Sequence, residues 1–525
     1  VYIILVFNIS FWKGIINIFG APDSGEFFFF CSILLSLIAA ANMIFSLFSF
    51  RYIFKPIVIL ILISSSLIAY FMDSYGIMMD KGMLQNIIET DSREVYELFS
   101  IRLILYFFFF GMLPSFLIGW IKINYRKNIR GGIFTSGVIV LSALFLGANA
   151  LVFFKDYASL SRDHRYLRLL INPSYFFYSV SEYAQDLLQQ KAAIAMPLGR
   201  DAVQDITSMQ RGKKTITILV LGETARAANF SLNGYSRDTN PMLNKEDIIN
   251  FSNFYSCGTS TAVSVPSMFS HLGRKRYSET KAKSSENLLD VLSHAGIQVL
   301  WRDNNSGCKG VCKRIEAEKM ANLQHENLCG DAGCYDEILL QGLQEYVDSL
   351  KKDAFIVLHQ KGSHGPAYYL RYPESFELYE PVCETSQLDK CPRQEIINAY
   401  DNSILYTDYF LSLVIGFLKN NSDKFDTAMI YVSDHGESLG ENNIYLHGLP
   451  YHIAPDEQKR VPFILWFSKG FEDAYGIDRR HLESISAARH SHDNLFDSVL
   501  GLLDIQTKEY DPREDIFAVI KKMNA

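Results

Sequence analysis

Four stretches in the first 155 residues carry no charged side chain: 27–50, 56–72, 103–121 and 133–154. An α-helix needs about 20 apolar residues to cross the roughly 30 Å of hydrocarbon in a bilayer, and these runs meet or nearly meet that length. So many uninterrupted runs exclude the core helices of a water-soluble domain and predict membrane spans. Residues 1–12 are also apolar but short, with no initiator Met and no basic residue ahead of them. They read as a fifth transmembrane helix cut at its start, not as a signal peptide.

Charges in the connections set an orientation. Arg51 and Lys55 lie between the second and third spans, and Lys122, Arg126, Lys127 and Arg130 between the fourth and fifth. The intervening segment 73–100 is acidic, with Asp73, Asp80, Glu89, Asp91, Glu94 and Glu97. Basic loops stay in the cytoplasm, so the N-terminus is expected inside. Five spans then leave everything after about Lys155 outside.

The rest of the chain has another pattern. Apolar runs at 215–221, 297–301, 354–358, 428–432 and 461–467 read as strands buried on both faces. Such runs indicate a mostly parallel sheet covered by helices, for which 285–295 and 395–418 are candidates. Four of these strands end in potential ligands: Glu223 to Arg226 after the first, Arg302 to Asn305 after the second, His359 to His364 after the third, and Ser433-Asp-His-Gly-Glu437 after the fourth. Open α/β sheets bind ligands at the carboxyl ends of their strands. Asp434 beside His435 suits a borderline cation such as zinc. The run 461–467 has no ligand-type residues beyond it.

Of eight cysteines only Cys31 lies in a span. Cys308 with Cys312, Cys329 with Cys334 and Cys383 with Cys391 form close couples, read as local disulfides in an oxidising compartment; Cys257 is left over. A formal charge of −7 and the lack of a basic tract in the outer domain argue against nucleic acid. The mixed stretch after 155 holds the aromatic run Tyr175 to Tyr178, which suits a segment along the membrane surface. The expected division is a transmembrane domain over 1–155, an amphipathic surface linker over 156–213 and an outer α/β domain over 214–525.

A nucleophile is sought in Ser256-Cys-Gly-Thr-Ser-Thr261, which follows a short strand-like run at 251–255. Small residues and hydroxyls there precede an apolar run, so a hydroxyl residue is expected to cap the next helix. It would meet backbone N–H groups and the positive end of the helix dipole. A metal alongside would make such a hydroxyl a usable nucleophile for phosphorus. Spacing does not choose among Thr259, Ser260 and Thr261.

Taken together, Gly222-Glu-Thr-Ala-Arg226, Asn233-Gly-Tyr235, Ser256 to Thr261, Lys309-Gly310, Ser363-His-Gly-Pro366 and Ser433 to Ser438 through Tyr445-Leu-His447-Gly448 carry a resemblance. The chain resembles the lipid A phosphoethanolamine transferases, which include the mobile colistin-resistance enzymes. The resemblance covers nearly the whole chain. It implies a multi-pass protein of the bacterial inner membrane with a periplasmic, alkaline-phosphatase-like catalytic domain. It also implies transfer of phosphoethanolamine from phosphatidylethanolamine to a lipid A phosphate through a phosphothreonine. By motif, Thr261 is the nucleophile, and zinc is held by Glu223, Thr261, Asp434 and His435. The phosphoethanolamine-contacting positions fall on Asn305, Lys309, His364, Glu437 and His447. A monomer is expected.

One departure stands out. The family usually has Cys where this chain has Ser267, so a bridge from Cys257 across the nucleophile loop is not expected here. The rival readings are phosphoethanolamine transfer to core sugar or another envelope glycan, and a phosphodiesterase or sulfatase of the same superfamily. A membrane-anchored sensor that binds headgroups without turnover is a further alternative.

Overall fold

The computed structural model describes all residues except 21–23, 91–94, 96, 126–128, 193–195, 206–211, 324, 331–332 and 519–525. Asp91, Glu94, Arg126 and Lys127 of the charge argument therefore lie outside the described residues. The chain forms two compact units, one of residues 1–81 with 99–182, the other of 82–98 with 183–525.

Among the described residues of the first unit, four helices are long and apolar enough to cross a membrane: Glu26–Leu47, Phe54–Tyr75, Ile101–Trp120 and Gly131–Val152. The expected fifth span is not one helix. It is split into Tyr2–Val6 and Ile9–Phe19. At 1.5 Å per residue, the 11-residue piece reaches only about 16 Å. Asn8 sits buried at the break and spends its amide on other partners, donating to Ile3 O at 3.0 Å and Asn172 O at 2.8 Å. Polar side chains also join the spans: Asn149 donates to Ser36 Oγ at 2.6 Å and to Ser32 O at 3.1 Å, the kind of contact that holds helices together where hydrophobicity cannot.

The second unit is built on an eight-stranded sheet. Its strands are β1 (Lys214–Gly222), β2 (Ile248–Tyr255), β3 (Gln298–Asp303), β4 (Glu316–Lys319), β5 (Ala354–His359), β6 (Phe425–Ser433), β7 (Arg460–Phe467) and β8 (His490–Ser491), in spatial order β8-β2-β7-β6-β1-β5-β3-β4. Five of the seven pairings are parallel, and β7 runs antiparallel to both neighbours. The sheet is mixed, parallel in most of its pairings as expected, with one long run reversed. An apolar run has a period but no direction, so sequence alone does not reveal the reversal. It also explains why nothing ligand-like follows 467: that end of β7 lies on the opposite edge, where Ser468 caps the helix Lys469–Tyr475.

Alternate residues of β1 enter different cores. Leu219 and Leu221 pack with Phe254, Trp301 and Phe463, while Ile218 and Val220 pack with Ile356, Tyr431 and the long helix Arg393–Asn421. The other expected helix is shorter than its apolar pattern. It spans Leu288–His294, because Asn287 and Asp290 close a capping box ahead of it. All three expected disulfides form, Cys308–Cys312, Cys329–Cys334 and Cys383–Cys391.

Candidate active site

Strands β6, β1, β5 and β3 lie side by side, and their ends are level because Gly222 pairs with Ser433, Leu221 with His359, and His359 with Asp303. The residues that follow thus meet at one rim. Glu223, Asp434 and His435 are fully buried there, each offering a ligand atom within 4.8 Å of the others.

The helix Thr261–Met268 brings a hydroxyl to this group. Thr261 Oγ1 stands 3.1 Å from both carboxylate oxygens of Glu223 and 3.3 Å from His435 Nε2. Its neighbours are placed differently. Thr259 donates its hydroxyl to Leu449 O at 2.6 Å, and Ser260 occupies the N-cap position without a side-chain capping bond. The helix is therefore not closed by the hydroxyl cap expected of this loop; its first residue is the one turned to the rim.

The donor set fits a metal dication. Asp434 Oδ1 accepts the amides of His435 and Thr224 at 2.7 and 3.1 Å, whereas its Oδ2 is buried and accepts no hydrogen bond. His435 Nδ1 lies 2.9 Å from Gly436 O. That nitrogen carries the hydrogen, which leaves Nε2 for a ligand. Electrostatics agree. Burial and the adjacent Glu223 push Asp434 up to about 7. Burial opposes a charged His435, but Asp434 and Glu223 outweigh it and push it up to about 10. A buried cluster that holds an imidazolium this firmly is one that calls for positive charge.

Beside it lies a second group. His447 Nδ1 is 3.3 Å from Glu437 Oε2, and its ring centroid is 4.4 Å from that of His435 and 5.5 Å from that of His364. Burial pushes Glu437 up to about 8. The His364 turn can approach only because residue 362 is glycine: at φ +55° a Cβ there would fall 2.6 Å from Glu223 O.

Two expected residues are placed otherwise than a free substrate contact would be. Asn305 turns its Nδ2 onto Glu223 Oε2 at 2.7 Å. Lys309 Nζ donates to Ser306 Oγ at 2.9 Å and to Glu89 O at 3.2 Å.

Glu89 belongs to the acidic connection between two spans. The described residues of 82–98 pack with the sheet domain, where Gln85 is fully buried and donates to Ala262 O at 3.4 Å, and Glu89 pairs with Lys283 at 2.9 Å. Gly448, at φ +86°, makes room for Met83, whose Cε would be 2.5 Å from a Cβ there. These contacts span well over a hundred residues of chain and leave no local signal. Asp303 and His359, at the ends of β3 and β5, carry no motif that marks them in the sequence; both are buried against the site.

Comparison with known proteins gives a consistent picture. Residues 37–188 match the family model described as phosphoethanolamine transferase EptA/EptB, and residues 215–505 match the sulfatase model. The chain is 40% identical over 526 residues to phosphoethanolamine transferase EptA of Escherichia coli K12, covering 100% of this chain and 96% of that protein. It is 39% identical over 521 residues to phosphatidylethanolamine transferase Mcr-1 of Escherichia coli, covering 96% and 93%. Among solved structures, the integral membrane lipooligosaccharide phosphoethanolamine transferase A of Neisseria meningitidis superposes with a TM-score of 0.95 at 36% identity, covering 99% of this chain and 97% of that one.

Proposed function

Because the chain belongs to the phosphoethanolamine transferase family, we propose that it moves phosphoethanolamine from phosphatidylethanolamine to a lipid A phosphate through a phosphothreonine at Thr261. The observation that carries this reading is the Thr261 hydroxyl, 3.1 Å from both oxygens of Glu223 and 3.3 Å from His435. Bound by Glu223, Thr261, Asp434 and His435, zinc would lower the pKa of the hydroxyl and offset charge on the phosphoryl oxygens.

The remaining steps belong to side chains. Deprotonated Thr261 attacks phosphorus, forming an O–P bond as the bond to the diacylglycerol oxygen breaks. His364 or His447 gives that oxygen its proton. A lipid A phosphate oxygen then attacks the same phosphorus, forming a P–O–P bond as the bond to Thr261 breaks, and the acceptor phosphate's proton passes to the Thr261 oxygen. Lys309 neutralises phosphoryl oxygens in both halves. Glu437 meets the ethanolamine ammonium or orients His447, and Asn305 borders the phosphoethanolamine group from its place on Glu223. In this reading 1–155 is a multi-pass anchor in the bacterial inner membrane, 156–213 lies along the membrane surface, and 214–525 works in the periplasm as a monomer.

The test is to incubate purified full-length protein with phosphatidylethanolamine alone and measure its intact mass. One added phosphoethanolamine, located on Thr261 by peptide mapping, is expected. An adduct on another residue, or one that persists in Thr261→Ala, would contradict the assignment.

A further inference from the structure

We infer that Asp303 and His359 form a positioning pair that fixes the orientation of the Asn305 amide, and through it the Glu223 carboxylate. The inference rests on the reading of Glu223 as a metal ligand. Both members of the pair are buried, His359 completely.

Asp303 acts only as an acceptor. Its Oδ1 takes the backbone amides of Asn305 and Gly307 at 3.0 and 3.1 Å, and its Oδ2 takes Trp301 Nε1 at 2.8 Å. The same Oδ2 lies 2.9 Å from His359 Nδ1, so Nδ1 must carry the hydrogen. The end of the Asn305 amide that meets Glu223 Oε2 and Gln360 O must be its NH2, since both are acceptors, and the same nitrogen stands 3.3 Å from His359 Nε2, which therefore has to present its lone pair.

Asn305 Nδ2 has two hydrogens and three acceptors around it. One hydrogen goes to Glu223 Oε2 at 2.7 Å, and the other is shared by Gln360 O at 2.9 Å and His359 Nε2. Its Oδ1 accepts the Ser306 amide at 2.7 Å. With His359 in this tautomer, only the nitrogen end of the amide fits against Glu223. With the hydrogen on Nε2 instead, a donor would face a donor. The amide would be driven to turn its oxygen onto the carboxylate. An acid that fixes the tautomer of a histidine in this way need not itself touch the reacting atoms. The pair therefore acts through Asn305 on how Glu223 presents its oxygens to a metal and to Thr261.

Glutamine and asparagine separate the two ring nitrogens. In His359→Gln an amide oxygen can take the place of Nε2, while in His359→Asn an amide reaches only the Nδ1 position. Zinc affinity of the full-length protein would be measured by competition with a chelating dye. Turnover with phosphatidylethanolamine and the melting temperature of the metal-free protein would be followed alongside. His359→Gln is expected to bind zinc within about threefold of the parent. His359→Asn is expected to bind about ten- to a hundredfold more weakly, with kcat reduced, KM for the donor lipid little changed and the melting temperature kept. Asp303→Asn, which no longer fixes the tautomer, should behave like His359→Asn. Equal zinc affinity in the two His359 variants would overturn the inference, as would parental affinity in Asp303→Asn. Loss of folding in all three would also overturn it, by assigning the pair to the fold. Glu223→Ala serves as the reference: if it keeps parental zinc affinity, the metal-site reading itself fails.

Discussion

Thr261 and Thr259 are two residues apart in a loop of hydroxyls, and hydrogen bonding separates them: one faces Glu223 and His435, the other is committed to Leu449 O. Thr261→Ala is expected to lower transfer by at least about a thousandfold, since a lost nucleophile leaves only binding and electrostatic assistance. It should leave the melting temperature near that of the parent, with zinc still held by Glu223, Asp434 and His435 though more weakly; residual transfer at the parental rate would move the nucleophile elsewhere. Thr261→Ser should keep part of the activity, with a hydroxyl that is less restricted in rotamer. At this scale the sequence is legible wherever a candidate ligand directly follows a buried strand, as with Glu223, Asp434 and His435. It is silent on partners. Nothing local tells that Asn305 spends its amide on Glu223, or that Cys257 donates its thiol to Asp493 Oδ1 at 3.1 Å.

Individual elements carry two further tests. The helix Thr261–Met268 brings Ser267 beside Cys257, close enough for its hydroxyl to influence the buried thiol. Ser267→Cys should form a bridge to Cys257 and stabilise the nucleophile loop by about 2–3 kcal/mol, as expected for so short a loop. Thiol titration would then find Cys31 alone reactive; an unchanged thiol count would show that the two side chains cannot meet. The long helix Arg393–Asn421 carries Asp408, whose carboxylate accepts the amides of Met242 and Leu243 at 2.8 and 3.1 Å. Burial pushes it from 3.8 up to about 7. A carboxyl with a raised folded pKa binds its proton more tightly when folded. Its contribution to stability is complete below the unfolded pKa and is lost as pH rises through the folded one. Stability of the parent should therefore fall between about pH 4 and 7. Asp408→Asn should flatten that slope, and an identical slope in denaturant unfolding would refute the contribution.

Across the whole molecule, the sequence separates membrane spans from sheet because charge-free runs and strand-length runs differ in length. It does not reveal that the described residues of 82–98, drawn from between two spans, pack with the sheet domain. That association depends on tertiary contacts such as Gln85 with Ala262. The break at Asn8 was equally hidden, because one buried asparagine among apolar residues does not look like a helix end. The proposed activity has a consequence at this scale. A phosphate monoester carries about −1.5 to −2 near neutral pH; the added phosphoethanolamine joins it through a P–O–P linkage whose two phosphoryl charges are offset by one ammonium, which leaves the group at about −1. Cationic peptides drawn to that charge should bind the outer membrane less well. The most direct measurement is the mass spectrum of lipid A from a polymyxin-sensitive Gram-negative host expressing the full-length protein or its Thr261→Ala variant. Lipid A carrying one or more added phosphoethanolamine groups in the parent strain alone is the predicted result. Unmodified lipid A in both strains, with the protein present in the membrane and any added phosphoethanolamine found on core sugar instead, would contradict it.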